Sequence, residues 1–281
     1  MTLPAYDLIA AVRPVPQLMG ILNVTPDSFS DGGQLAHPEQ VVQRAQQHVA
    51  EGASWLDLGA ESTRPGAAPI SVAEELRRLL PALRALKAAR LSARISVDTR
   101  RAAVAAEALA LGADAINDVS ALGDSDMAPL VAQAQVPIIV MHYGGPAPWG
   151  GAQGAHYDDV VQEVGAFLQN VASRALEAGI APPNIWFDPG LGFGKTPEHN
   201  LALLQQLHQL VALGQPIALG PSRKRFLQRL VGKPSQGCDE ATAAACCVAT
   251  LQGVHLLRVH APGAVKDAVR VAAALRSHGQ R

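Results

Sequence analysis

The feature that most constrains the fold is a short apolar run that ends abruptly in a polar residue, a pattern that occurs eight times along the chain. The first run covers residues 18–22 and meets Asn23, which opens a polar stretch of Thr, Pro, Asp, Ser and Gly. Continuous apolar strands of this kind are typical of parallel sheets that are covered on both faces. Polar residues at the ends of such strands are candidates for a functional site.

Segments with helical apolar spacing separate the eight runs, and they predict helices at 38–52, 71–87, 101–111, 158–178, 200–213, 239–252 and 264–276. Ser71 and Glu74 have capping-box spacing at the second of these helices. Eight strand and helix units favour a single (β/α)8 TIM barrel over residues 1–281, with residues 1–17 as an N-terminal extension and the active site at the C-terminal face. The length is close to the roughly 250 residues typical of that fold.

A doubly wound open sheet is the alternative fold, but no G-x-G-x-x-G phosphate fingerprint follows the first strand. The sequence GLGFGK at residues 190–195 resembles that fingerprint only weakly, because it follows Asp188 and Pro189 instead of opening a helix. The barrel therefore remains the prediction.

Composition limits the partners and the compartment. The 23 Lys and Arg against 24 Asp and Glu give a net charge of −1, which predicts no nucleic-acid partner. Cys238, Cys246 and Cys247 are an odd number and predict buried thiols in a reducing compartment. Neither a signal peptide nor an apolar run of the ~18 residues that a membrane span needs is present. We expect a cytoplasmic protein without membrane contact.

The polar residues at the strand ends are of two chemical kinds. Asp98, Asn117 and Asp188 offer hydrogen-bond acceptors that suit a flat heterocycle with neighbouring N–H groups, although each Asp is also a good helix cap. A second set favours a phosphate or pyrophosphate, to which a helix predicted after Pro221 would add backbone N–H groups and its positive end. It comprises Thr63, Arg64, Arg223, Lys224, Arg225, Arg258 and His260.

The sequence contains no HExxH motif and no His-x-His at the first strand, so a His-bound hydrolytic zinc ion is not predicted. A Mg²⁺ ion that is held mainly by the phosphates of a substrate, with Asn23 as a ligand, fits better. The remaining candidate histidines are expected on the surface, in helices or turns. They are His37, His48, His199, His208 and His278.

Eight motifs in this order and spacing closely resemble bacterial dihydropteroate synthases, over residues 19–274. They are LNVTPDSFSDGG, ESTRPGA, SVDT, IND, MH, DPGLGFGK, SRKRF and RVH. The resemblance implies a homodimeric transferase that condenses 7,8-dihydropterin-CH₂ pyrophosphate with p-aminobenzoate in folate biosynthesis. Sulfonamides imitate the aminobenzoate. The chain departs from the family pattern at Ala60, where many members carry Gly, and at Arg225, where some carry Ser.

The resemblance also implies roles for individual residues. The pterin ring would contact Asp98, Asn117, Asp188 and Lys224, between Met141 and Phe193 and under the face of Arg258. Pyrophosphate and Mg²⁺ would contact Asn23, Thr63, Arg64, Arg258 and His260. The aminobenzoate would contact Phe29, Pro65, Ser222 and Arg225, and the catalytic groups would be Asp98, Lys224, Arg258 and His260.

Two other functions share part of this pattern. A barrel that passes a methyl group from a methyl-folate to a corrinoid would share Asp98, Asn117 and Asp188, but it has no use for the TPDSFSDGG and SRKRF segments. The other is a homologue that binds pterin without catalysis, and the presence of Asn23, Arg64, Lys224, Arg258 and His260 argues against it. Release of pyrophosphate separates these alternatives.

Overall fold

Parallel strands form from each of the eight apolar runs and pair side by side into one curved sheet. The structure is a computed structural model, and it describes residues 15–25, 37–62, 67–145 and 155–278. The predicted N-terminal extension lies mostly outside these residues. The strands are β1 Gln17–Asn23, β2 Trp55–Gly59, β3 Arg94–Asp98, β4 Ala115–Asp118, β5 Ile138–Met141, β6 Ile185–Asp188, β7 Ala218–Leu219 and β8 Leu256–Val259.

The strand order β6-β5-β4-β3-β2-β1-β8-β7 places β8 beside β1. The two remaining edges, β6 and β7, meet through a parallel bridge between Phe187 and Ile217. The Phe187 N–H also donates to the carbonyl of Pro216 at 2.9 Å. The sheet therefore curls into a nearly closed barrel, and the prediction of a (β/α)8 TIM barrel is confirmed.

Helices follow the strands and cover the outside of the barrel. Those in the described residues are α1 Pro38–Ala50, α2 Val72–Ala88, α3 Ala102–Ala110, α4 Met127–Ala134, α5 Val160–Glu177, α6 Pro197–Gln205, α7 Leu207–Val211, α8 Arg225–Val231, α9 Asp239–Gln252 and α10 Pro262–His278. Short 3₁₀ turns precede β6 and α9, at Pro182–Asn184 and Ser235–Gly237. The predicted cap of α2 is present, because the Ser71 side chain accepts a hydrogen bond from the Glu74 N–H at 3.2 Å.

The sequence prediction differs from the structure at two places among the helices, α4 and the region of α6 and α7. Helix α4 has no counterpart in it, because Pro129 and the preceding Gly and Asp residues are typical of a loop. Helix α8 agrees with the helix predicted after Pro221. The single helix predicted at 200–213 is two helices, since Gln206 has φ −114° and ψ 21° and breaks the helical geometry between α6 and α7.

The apolar side chains form two layers, one between the strands and the helices and one inside the barrel. The inner layer is small and is contributed by residues of six strands with a seventh packed against it. They are Met19, Trp55, Ala115, Ile139, Ala218 and Leu256, with Trp186. Because side chains alternate between the two faces of a strand, the residues two positions further along each strand also face the barrel axis.

One predicted surface histidine is buried. His48 in α1 is 1% exposed, because its ring occupies the space over Gly20 in β1, where a Cβ atom would come within 2.7 Å of the ring. Its Nε2 lies 3.2 Å from the carbonyl oxygen of Ile21, and burial lowers the pKa of the imidazole. The surface prediction was wrong here because residue 48 continues the apolar stripe of α1, and a small residue on the facing strand makes room for a ring.

The three cysteines are free thiols; Cys238 and Cys246 are buried as predicted, whereas Cys247 is only partly buried. Helices long and apolar enough to cross a membrane do not occur in the part of the chain that the structure describes.

Candidate active site

The residues two positions beyond the inner apolar layer form the floor of a pocket at the C-terminal end of the barrel. In β4, β5, β6 and β8 these residues are Asn117, Met141, Asp188 and Arg258, and all four line the pocket. The pocket is completed by Asp98 at the end of β3 and by residues of the loops. These are Val119, Leu191, Phe193, Gly220 and Lys224. The inward-facing side chains are thus apolar in one layer of the barrel and mostly polar in the next layer toward its C-terminal end.

Arg258 lies across the floor and joins two carboxylates. Its Nε donates to Oδ2 of Asp57 at 2.5 Å, and its Nη2 donates to Oδ2 of Asp98 at 2.9 Å. Burial alone would lower the pKa of Arg258, but the neighbouring Asp57 and Asp98 outweigh it and raise the pKa. The guanidinium therefore stays charged, and its plane is fixed at two points.

Asn117 is the amide of the floor and is 5% exposed. Its Nδ2 donates to Oδ2 of Asp57 at 3.1 Å. Asp57 is completely buried in the middle of β2 and accepts hydrogen bonds from both Asn117 and Arg258. One carboxylate below the pocket therefore holds two of the side chains that line it.

Asp188 and Lys224 face each other on the other side of the floor. Oδ1 of Asp188 accepts a hydrogen bond from the Gly190 N–H at 2.7 Å, and burial raises the pKa of this carboxyl group, opposed by that hydrogen bond and by Lys224. Burial lowers the pKa of Lys224 to about 8, opposed by Asp188. The Lys224 Nζ lies 4.0 Å from the centre of the Phe193 ring, a distance typical of a cation–π contact.

Asp98 is a second carboxyl group of the pocket with a raised pKa. Its burial raises its pKa to about 7, although Arg258 acts in the opposite direction. Asp57 is a further cause, because a second negative charge disfavours ionisation of the first. Such a strongly perturbed carboxyl group in a cleft is a frequent mark of a functional site.

Two of the residues predicted to bind phosphate, Asn23 and His260, lie at the C-terminal ends of their strands, on the rim of the barrel. Asn23 at the end of β1 is in register with Gly59, and Gly59 is in register with Asp98, so these three residues share one level of the barrel. His260 follows β8, and its ring Nδ1 lies 2.9 Å from the Ser222 hydroxyl, which also accepts from the His260 N–H at 3.1 Å. Ser222 and His260 were predicted to bind different substrates, yet they touch.

A metal ion at this rim would find few protein ligands. The described residues contain no group of three or more His, Cys, Asp or Glu side chains that could hold a metal ion. The side-chain amide of Asn23 takes no part in the hydrogen bonds among those residues and is partly exposed. One neutral oxygen suits a Mg²⁺ ion that keeps most of its ligands from phosphates and water. The donor set therefore fits the predicted ion and does not fit a tightly bound structural metal.

The other predicted residues divide into three groups. Arg225 is the first residue of α8 and is exposed. Arg223 does not face the pocket as a free cation, because its guanidinium makes two hydrogen bonds to Asp239, at 2.8 and 2.9 Å. Four further candidates lie outside the described residues. They are Phe29, Thr63, Arg64 and Pro65.

Asp57 and Lys195 contribute to the site but were not predicted from the sequence. Lys195 extends behind the floor, where its Nζ lies 2.9 Å from Nδ1 of His142 and donates to the carbonyls of Gly190 and Phe193 at 3.0 and 3.2 Å. Burial lowers the pKa of Lys195 to about 7, and burial together with Lys195 lowers the pKa of His142 to about 3. A signal for Asp57 was available in the sequence, since a carboxylate between Leu56 and Leu58 in a buried strand requires partners.

The loop after β6 explains why GLGFGK resembles a phosphate fingerprint without being one. Gly190 has φ +68°, and a Cβ there would lie 1.9 Å from the carbonyl oxygen of His142. Gly194 has φ +62°, and a Cβ there would lie 1.5 Å from the carbonyl oxygen of Gly144. Helix α6 begins only at Pro197. These glycines allow the β6 loop to approach the β5 loop, which places Phe193 beside Lys224.

A second polar network fixes the two ends of the segment that contains Thr63 and Arg64. Arg101 Nη2 donates to Oε1 of Glu61 at 2.9 Å and to the carbonyl of Ile70 at 2.7 Å. The Ile70 N–H donates to the same Glu61 oxygen at 3.1 Å. Arg101 also pairs with the buried Glu75. The residues before and after this predicted loop are therefore held together at its base.

An eight-stranded parallel barrel whose C-terminal pocket offers Asp98, Asn117 and Asp188 around one guanidinium defines a pterin-binding enzyme. In agreement, residues 19–260 match the family described as pterin binding enzyme, and the chain belongs to that family. The chain is 45% identical over 265 residues to the dihydropteroate synthase of Mycobacterium leprae (strain TN), with 92% of this chain and 93% of the relative covered. Within the family it therefore belongs to the dihydropteroate synthases.

Two solved structures of Xanthomonas albilineans dihydropteroate synthase are similar to this chain over most of its length. The structure with 4-aminobenzoic acid has a TM-score of 0.86 and 43% identity, and 93% of each chain is covered. The structure in complex with 7,8-dihydropteroate has a TM-score of 0.83 and 40% identity, covering 96% of this chain and 98% of the other.

Proposed function

We propose that this chain condenses 7,8-dihydropterin-CH₂ pyrophosphate with p-aminobenzoate, giving 7,8-dihydropteroate and pyrophosphate. The function is that of a dihydropteroate synthase in folate synthesis, and the enzyme is a transferase. The observation that carries this proposal is the pocket floor, where Asp98, Asn117 and Asp188 offer acceptors to a flat ring and Arg258 offers a planar cation to its face.

In this proposal the pterin ring enters the pocket, and its N–H edge faces Asp98, Asn117 and Asp188. A carboxylate can accept two neighbouring N–H groups as a bidentate pair. Lys224 donates to an acceptor of the ring, and Met141 and Phe193 supply apolar walls. The contact between Phe193 and Lys224 supports this arrangement, because it holds the ammonium group beside Asp188.

The pyrophosphate group then reaches the rim, where Asn23, Arg258 and His260 are proposed to bind it together with Thr63 and Arg64. Mg²⁺, when bound with Asn23 as a ligand, would neutralise charge on the leaving pyrophosphate. Ser222 orients His260 through two hydrogen bonds. The aminobenzoate would bind above the pterin, with its carboxylate near Ser222 and Arg225 and its ring beside Phe29 and Pro65.

The reaction needs little proton transfer. The bond between the methylene carbon and the pyrophosphate oxygen breaks, and both bonding electrons leave with pyrophosphate, whose charge Arg258 and His260 stabilise. The methylene carries positive charge, which the electron-rich pterin ring spreads and the nearby Asp98 stabilises. The neutral aromatic amine forms the new carbon–nitrogen bond and releases a proton to solvent.

Release of pyrophosphate tests the proposal. We expect release only when pterin pyrophosphate, p-aminobenzoate and Mg²⁺ are all present, with one dihydropteroate formed for each pyrophosphate. A homologue that only binds pterin would bind the ring by calorimetry and release nothing. A methyltransferase barrel would instead demethylate a methyl-folate when a reduced corrinoid is added. Either result would overturn the proposal.

We further propose that the enzyme is a cytoplasmic homodimer. The free thiols support a reducing compartment. Two neighbouring helices support a covered surface, because α9 exposes Val248 and Leu251 and α10 exposes Val271 and Leu275, the last two at 62% and 61%. Light scattering should give twice the mass of one chain. Replacing Val271 by Glu should yield monomers, and an unchanged dimer would place the interface elsewhere.

A further inference from the structure

We propose that Asp57 is a positioning residue that fixes which atom of the Asn117 amide faces the pterin. Asp57 lies below the pocket and touches no ligand in this arrangement, but its Oδ2 accepts from Asn117 Nδ2 at 3.1 Å. A carboxylate paired with a guanidinium accepts hydrogen bonds and donates none. The NH₂ group of Asn117 is therefore directed at Asp57, and the amide oxygen is left for the pocket.

The orientation matters because an amide presents opposite chemistry at its two ends. With its oxygen in the pocket, Asn117 accepts a hydrogen bond, as Asp98 and Asp188 do. Reversed, it would point two N–H donors at the N–H edge of the ring. The inference rests on the proposed placement of the pterin at Asn117, and it assigns the choice of donor or acceptor to a residue outside the pocket.

The burial of Asp57 supports a fixed role. The side chain is 0% exposed, and its neighbours in register are Ile21 in β1 and Ser96 in β3, so it has no room to turn toward solvent. Its Oδ2 also accepts from Arg258 Nε at 2.5 Å. Its other oxygen, Oδ1, is buried without a hydrogen-bond partner among the described residues. Both hydrogen bonds of the Asp57 side chain thus use one oxygen, and they connect it to two residues of the pocket.

The arrangement allows a charge role to be separated from an orienting role. In Asp57→Asn the amide oxygen can replace Oδ2 and accept both hydrogen bonds. The new NH₂ group then takes the place of Oδ1, where no hydrogen bond is lost. Asp57→Ala removes the acceptor and frees Asn117 to reverse. We expect 6-hydroxymethylpterin to bind Asp57→Asn within about threefold of wild type, and Asp57→Ala roughly tenfold more weakly, the loss of about one hydrogen bond.

A second substitution makes the test specific. Asn117→Asp should weaken pterin binding in the wild-type background, because two carboxylates would then face each other. In the Asp57→Ala background the same substitution should strengthen it. The introduced carboxylate has no NH₂ group, so it offers an acceptor to the pocket in either orientation, and the double variant keeps the charge of the floor. The sign of the effect should therefore reverse, which a general loss of packing would not produce.

Calorimetry measures the affinity of 6-hydroxymethylpterin for wild type, for these variants and for Asn117→Ala. Thermal unfolding verifies that each variant is folded. Reversal of sign together with tight binding by Asp57→Asn supports the inference. If Asp57→Asn binds as weakly as Asp57→Ala, the charge of Asp57 matters and the inference is wrong. If Asn117→Ala leaves the affinity unchanged, the proposed placement of the pterin fails instead. If only Asp57→Ala is without effect, the placement stands and the orienting role falls.

Discussion

Replacing Arg101 by Met should destabilise the barrel strongly, because the substitution leaves a carboxylate buried without its cation. Glu75 is 0% exposed, and its two partners are Arg101 and the Thr99 hydroxyl, which donates to Oε1 at 2.6 Å. Removing one partner of a buried ion pair typically costs about 3–5 kcal/mol. The upper end of this range is expected here, since Arg101 also binds Glu61 and the carbonyl of Ile70.

Urea unfolding followed by circular dichroism measures the change. The Arg101→Met variant should unfold at a much lower urea concentration, with a similar dependence of the unfolding free energy on urea. Arg77→Met is the matched control, because Arg77 is 58% exposed and its partner Glu74 keeps a second ion pair with Arg78. The control should unfold like wild type.

The double variant Arg101→Met, Glu75→Gln identifies the cause. A neutral amide is less costly to bury than an unpaired carboxylate, so the second substitution should recover a large part of the loss. The reasoning would be refuted if Arg101→Met were as stable as Arg77→Met, or if Glu75→Gln made the Arg101→Met protein still less stable.

Three further predictions concern the pocket. In Asp188→Asn the amide oxygen keeps the hydrogen bond from the Gly190 N–H, so the NH₂ group must face the ring; pterin affinity measured by calorimetry should fall by about 1–3 kcal/mol. Because the pKa of Asp98 is raised to about 7, pterin affinity should fall as the pH is lowered through 7, and Asp98→Asn should remove this dependence. Arg258→Lys keeps the charge but loses the planar group and its two-point contact. The rate of pyrophosphate release should therefore fall sharply although the protein is folded, and a near-normal rate would contradict the role of Arg258.

The sequence was sufficient to predict the strands because each apolar run is short and ends in a residue that cannot be buried alone. The same rule placed Asp98, Asn117, Asp188 and Arg258 at one end of the barrel, and the structure brings them into one pocket. Alternation along strands and the closure of eight units leave little freedom in this part of the fold.

Partnerships between distant segments were not predictable in the same way. Asp57 meets Arg258 across 201 positions of sequence, and nothing in either local pattern names the other. His48 was placed on the surface because the space over Gly20 is visible only when α1 is packed on β1. The pairing of Arg223 with Asp239 likewise depends on where α9 begins. Local sequence sets which side chains need partners, whereas the packing of the helices decides which partners they find.

The charges of the floor connect binding with catalysis. Three carboxylates, Asp57, Asp98 and Asp188, lie around two cations, Arg258 and Lys224. Burial raises the pKa of both Asp98 and Asp188; at Asp98 the neighbouring Asp57 raises it further, whereas Lys224 and Arg258 oppose the rise at Asp188. A ring that directs N–H groups at these carboxylates gives them hydrogen bonds in place of water without adding charge. When pyrophosphate leaves, the positive charge on the methylene develops above acceptors that are already in place, and such preorganised charge is worth more in a buried site than in water. The same buried carboxylates that bind the N–H edge of the ring therefore also stabilise the transition state.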